Sequence, residues 1–325
     1  MSTLWAGPET ISRSMRQGDH AVQGTRRKKP VNLRLGFASD NFSYLIDLGL
    51  PEPAKTDFSL DPQIKQEMVW HGVSLRPSAL LVKRTGPLVR VRGDDDGWRA
   101  VTDNLAAFDS VMTQLSDLST TPEILMLRES IRAWRFYDHF RTDVDAPARR
   151  PQVGTLTPIL ANDGADLAAA IQTIVEIGDP GALKAAVDDA FPGSWLRVDA
   201  QSGWFDLTMQ QTGMLRPLKS AELSDGTLRY VLWIAALLTP RPPEVMVLNE
   251  PETSLHPSLL PPLGRLISQA AARSQMIVVT HAATLIDQLK EDGKCRFIAL
   301  EKPFGETVIA GQRLVDTPTW HWPER

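Results

Sequence analysis

The sequence predicts an α/β protein with an antiparallel sheet lobe towards its N-terminus, a helical insert, and a C-terminal lobe built on a parallel sheet. Three observations carry that prediction. From Pro30 to about Thr102, short segments alternate apolar with polar residues, the period of a half-buried strand. From Leu105 onwards the apolar spacing turns helical. After Trp195, helices alternate with short, continuous apolar strands, the pattern of a parallel sheet covered on both faces. The expected regions are therefore 1–104, 105–194 and 195–325.

Within the first region, "VNLRLGF" and "FSYLIDLGL" flank "ASDN", a hairpin-turn composition. "ALLVKR", "LVRVRG" and "GWRAVT" continue the theme, separated by "TGP" and "DDD". Leu105 to Tyr137 has helical spacing. Asp163 to Ile177, "DGADLAAAIQTIVEI", adds an acidic start to an apolar stripe. "GDPGALKAAVDDAF" opens a helix at Pro180 and closes it near Pro192. "WLRVDA" and "WFDLTMQ" are short strands, and "VMVL" and "MIVVT" are buried ones. "DAPARRPQVGT", Asp145 to Thr155, is either a lobe junction or a surface loop. Trp70, Trp98, Trp134, Trp195, Trp204 and Trp233 fall in predicted elements, where core packing explains most of them better than base stacking does.

With 325 residues, 42% of them hydrophobic and 23% charged, the chain has material for a large core. Its net charge of −4 gives no general attraction to nucleic acid. The local basic run "GTRRKKP", Gly24 to Pro30, is a solvated loop or a contact for a nucleic-acid backbone. Cys295 is the single cysteine, so no internal disulfide forms and a reducing compartment fits. No apolar run reaches the length of a membrane span, and the N-terminus lacks a signal-peptide layout. A cytoplasmic protein without a membrane partner is expected.

The chemistry concentrates near the end of the chain. "EVMVLNEPE" is a buried strand that delivers Asn249 and Glu250 to the crevice where open α/β sheets bind ligands. "QMIVVTHAATLID" is a second such strand, ending at His281. A carboxylate there can accept a proton from water, and a neutral imidazole can bond a phosphate oxygen. "LSDGTLRYVLWIAALL" places Ser224 as the cap of a long apolar helix, with Gly226 permitting close backbone approach. That is an anion site at a helix N-terminus, or a plain cap.

In this order the motifs resemble those of ABC-type ATPase heads of the SMC/RecF/OLD-like group, often labelled AAA family ATPases. The resemblance is strongest over Leu223 to Asp287 and extends more loosely back through "NDGADLAAAI" to "LWAGPE". It implies a P-loop NTPase-like ABC head that hydrolyses ATP with Mg²⁺ and pairs with a second such head, as a homodimer or heterodimer. Nucleic acid is a candidate partner, and DNA repair, genome maintenance or phage defence the candidate process. By the same resemblance, Glu250 is the catalytic base and His281 the switch histidine. Ser224, Asp225 and Gly226 form a signature that serves the partner's nucleotide, and Ser254, Leu255 and His256 form the D-loop. Asn249 is the metal-side residue of Walker B, and Gln152 a counterpart of the Q-loop glutamine near the metal. Two positions depart from the pattern. Asn249 stands where the family has Asp, a weaker partner for Mg²⁺, and Asp225 replaces a small residue.

The phosphate loop G-x-x-x-x-G-K-[ST] occurs nowhere in the 325 residues: "GTRRKKP" lacks the second glycine and "DGKC" has no hydroxyl residue after its lysine. The expectation is a chain that starts late or has lost that segment. Two functional classes follow: an ATPase, or an interaction subunit that donates its signature in trans and binds no ATP alone.

Overall fold

The computed structural model describes residues 15, 32–51, 57–58, 61–93, 95–115, 121–291, 293–302 and 307–311. "LWAGPE" and the basic run "GTRRKKP" lie outside them. The chain forms two compact units. One contains the described residues up to Arg132 together with those from Ile298, and the other runs from Ala133 to Phe297. These units differ from the three regions read from the sequence. The helical stretch is divided between them, because its first helices pack on the antiparallel sheet and its later ones on the parallel-sheet core. The segment Asp145 to Thr155 lies inside the second unit and is no junction.

The first unit is a six-stranded meander: β1 (Asn32–Phe37), β2 (Phe42–Gly49), β3 (Gln63–His71), β4 (Leu80–Thr85), β5 (Leu88–Arg92) and β6 (Trp98–Thr102). Each strand pairs antiparallel with the next. β3 escapes an alternation reading because Gln66, Glu67, Met68, Val69 and Trp70 are all buried. Val69, Val82, Val89 and Val91 pack with residues of the short helix α1 (Val111–Gln114) and of α2 (Pro122–Ala133). Among them Glu67 and Arg84, both 0% exposed, form an ion pair at 2.8 Å. Tyr44, Ser110 and the Val111 amide also donate to Glu67. Arg84 in turn donates to the carbonyls of Gly86, Ala106 and Asp109.

The second unit holds a three-stranded parallel sheet in the order β13 (Gln275–Val279), β12 (Val245–Asn249), β7 (Arg135–Tyr137). β7 corrects the helical reading of Leu105 to Tyr137. Three residues carry no detectable period, and their strand conformation comes from pairing with β12, far along the chain. Met246, Val247 and Leu248 are buried in succession, so the central strand is covered on both faces. β13 is only half-buried. A separate antiparallel sheet joins β8 (Gln152–Val153), β9 (Trp195–Gln201), β10 (Trp204–Gln210) and β11 (Leu218–Lys219).

Helices α3 (Leu167–Ile177), α4 (Pro180–Ala190), α5 (Asp225–Leu237), α6 (Leu260–Ala270) and α7 (Ala283–Glu291) complete this unit. α4 opens at Pro180, as expected, with Asp179 capping it. α5 is buried from Leu228 to Leu237, which makes it the centre of the core. Trp70 and Trp233 are buried, but Trp98, Trp195 and Trp204 are exposed, against the expectation that packing accounts for most of the tryptophans. All three begin strands at hairpin ends. Among the described residues, no helix is long and apolar enough to cross a membrane.

Candidate active site

All of the candidate residues lie in the second unit. β12 and β13 run parallel with Asn249 opposite Val279, so Glu250 and His281 both emerge at the C-terminal edge of the sheet. The imidazole Nδ1 of His281 stands 3.7 Å from Glu250 Oε1. Both side chains are open to solvent, His281 at 77% and Glu250 at 52% exposure. Glu250 adopts φ +45, a left-handed conformation uncommon for a residue with a side chain. Such strain persists only where surrounding structure holds it, and here the Glu250 amide donates to Val279 O at 2.7 Å.

Behind this pair lies a residue that motif reading passed over. Glu252 is 9% exposed, and its Oε1 accepts from Thr280 Oγ1 at 2.6 Å, from the His281 amide at 3.0 Å and from the Ala282 amide at 3.2 Å. One carboxylate thus fixes the backbone that carries His281. Its other oxygen is buried without a partner among the described residues. The second glutamate of "NEPE" was the available signal.

Ser224 caps α5 and accepts from the Thr227 amide at 3.2 Å. The direction of Asp225 is settled by Arg149, whose Nη2 lies 2.7 Å from the carboxylate. The same guanidinium donates to the carbonyls of Ser220, Ala221 and Leu223, and its Nε to those of Thr142 and Asp143. Arg149 therefore holds the whole turn that precedes α5. A Cβ on Gly226 would stand 3.1 Å from Ser254 O, closer than ordinary contact, so the helix start abuts the predicted D-loop. Two further bonds tie helix to loop: Arg229 Nη1 to Thr253 O at 2.8 Å and Trp233 Nε1 to Pro251 O at 3.0 Å.

Within that loop Ser254 has φ +61, Leu255 packs on the core and His256 accepts from the Ser258 amide. Asn249 donates to Asp138, the residue that follows β7. Gln152 is placed otherwise. It is buried, and its Oε1 accepts from the Ala168 amide at 2.8 Å, which commits it to the start of α3.

The family model described as "AAA domain, putative AbiEii toxin, Type IV TA system" matches residues 76–287, more than half of the chain. The chain belongs to this AAA-domain family. The match to the AAA domain spans both units and takes in every candidate residue. Comparison with curated proteins gives no match. Among solved structures, the AAA domain is similar to the Smc head domain with a coiled coil and joint from Pyrococcus yayanosii, at 15% identity and a TM-score of 0.37. That likeness covers 45% of this chain and 28% of the other, so the chain spans less than a third of that relative. It is also similar to an Smc head domain from Pyrococcus furiosus bound to the C-terminal domain of ScpA, with 10% identity, a TM-score of 0.41, and coverage of 92% and 82%. The SMC head domain from Thermotoga maritima gives 12% identity, a TM-score of 0.35, and coverage of 84% and 75%.

Proposed function

We propose that this AAA domain is one head of an ATPase pair, contributing a hydrolytic edge to one nucleotide and a signature helix to another. The observation that carries the reading is the convergence of Glu250 and His281 from adjacent parallel strands, with Nδ1 and Oε1 3.7 Å apart. Glu250 accepts the proton of the attacking water, and His281 bonds the terminal phosphate oxygens. Ser224, Gly226 and the free amides of α5 offer donors and a positive dipole end to the partner's phosphate.

Oxygen donors from Asp138, Asn249 and Glu250 suit a hard cation such as Mg²⁺, which when bound neutralises charge on the phosphates. A cytoplasmic setting and a task in genome maintenance or defence extend the same reading.

A second reading, a subunit that donates its signature without binding ATP itself, is favoured by the lack of a G-x-x-x-x-G-K-[ST] motif in the given sequence. Calorimetry with Mg-ATP and the chain alone separates the two, since micromolar binding would remove the second reading. For the first, the chain is mixed with a homologous head whose own signature is disabled, and phosphate release is followed. Hydrolysis is expected, with Ser224→Arg abolishing the trans contribution, and in a chain fused to a phosphate-loop segment Glu250→Gln lowers hydrolysis by roughly 10²-fold or more. Unchanged hydrolysis in both variants would sink the proposal.

A further inference from the structure

Asn249 puts a neutral carboxamide where the metal side of a nucleotide site calls for negative charge, and β7 brings a carboxylate directly to it. Tyr137 lies opposite Leu248 in the parallel register, so the next residues, Asp138 and Asn249, leave the sheet side by side. Glu250 leaves the same edge one position later. Asn249 Nδ2 donates to Asp138 Oδ1 at 2.5 Å. We propose that Asp138 supplies the carboxylate charge for the divalent cation at this edge, with the Asn249 amide nitrogen holding that carboxylate in place. The proposal rests on the ATPase reading above.

The hydrogen bond turns the amide nitrogen of Asn249 towards Asp138 and so orients its oxygen away. It also engages only one oxygen of Asp138, leaving the second for a cation or its waters. Placement is firm, because the turn after β7 is held from the core. Arg229 Nη2 donates to Phe140 O at 3.0 Å, and Arg149 Nε to the carbonyls of Thr142 and Asp143. A polar pair at the surface contributes little to stability, so the fold itself does not require an acid at position 138. Mg²⁺ is commonly held by one or two carboxylates, with water and phosphates filling the other positions. A complete protein cage is thus not needed, and among the described residues no group of three or more His, Cys, Asp or Glu forms one.

The test uses Mn²⁺ as the probe and backbone amide resonances of the full chain as the readout. Paramagnetic broadening should centre on residues 138, 249 and 250. Asp138→Asn, nearly isosteric, should weaken Mn²⁺ binding by at least about tenfold. Adding Asn249→Asp to that variant should restore it, because the charge returns on the neighbouring strand. Broadening that is absent from residues 138 and 249, or unaffected by Asp138→Asn, or not regained in the double variant, overturns the assignment. Metal-free ATP, titrated separately, reports on the underlying reading. A Mn²⁺ response with no ATP response upholds the metal site and removes the nucleotide, whereas an ATP response with Asp138→Asn inert to Mn²⁺ removes Asp138 alone.

Discussion

Glu67 in the first unit and Glu250 in the second are both carried by sheets, and they are treated in opposite ways. Glu67 is sealed from water, paired with Arg84 and given three further donors. Burial, followed by the neighbouring Glu67 charge, raises the pKa of Tyr44 well above the ordinary phenol value, so that hydroxyl stays a donor. Glu250 sits at the open end of a strand with a strained backbone and a half-exposed side chain. A buried charge whose hydrogen-bonding capacity is filled holds segments together, while a carboxylate left open at a parallel-sheet edge is free to exchange protons with a ligand.

The comparison breaks most visibly at Glu67. Its replacement by Ala leaves Arg84 buried without its counter-charge, and a loss of roughly 3–5 kcal/mol is expected, read from the urea midpoint. A loss below about 1 kcal/mol would mean that water or rearrangement compensates the pair. Next comes Arg149→Ala, which strips donors from three carbonyls ahead of α5. Roughly 2–3 kcal/mol should be lost, with hydrogen exchange at residues 220–226 accelerating before the rest of the unit. Uniform acceleration would argue against a local hold.

Glu250→Gly should act in the opposite sense, raising thermal stability by about 1 kcal/mol as the left-handed backbone is relieved, while removing the hydrolysis proposed for this edge. A fall in stability would show that the Glu250 side chain contributes to packing.

The smallest effect concerns the turn before α5. Arg216, hydrogen-bonded to Glu222, is the main cause that holds this carboxyl at about 2, with the Lys219 amide next. A depressed carboxyl stabilises the fold above its ordinary value of 4.5 and loses that contribution as pH falls towards 2. Faster exchange at residues 220–223 near pH 2 than at pH 5, once corrected for intrinsic rates, is the expected sign.

The same contrast explains what was legible in the sequence. Glu250 and His281 were readable because continuous apolar runs end on them, and Ser224 because a capping residue precedes a long apolar helix. β1, β2, β4, β5 and β6 were readable by alternation. β3 was not, since burial on both faces erases the period. Asp138 was invisible for a different reason: β7 has three residues, and its partner strand is remote in sequence. Arg149 read as part of a lobe junction or a surface loop, and only the fold shows that its guanidinium is buried under five carbonyls. Gln152 matched a motif position, yet its environment committed it to α3.

The separation of Asp138 from Asn249, 111 residues along the chain, also bears on how the molecule assembles. Every pairing in the six-stranded meander joins consecutive strands, so each closes a short loop and can form soon after its residues leave the ribosome. The parallel sheet has no such local route. β7 is made early, waits for β12 and then for β13, and in the interval exposes an unpaired edge. The last steps of folding therefore complete the edge that carries Glu250 and His281, and a chain arrested shortly before Val279 emerges would hold a finished meander and an incomplete parallel sheet.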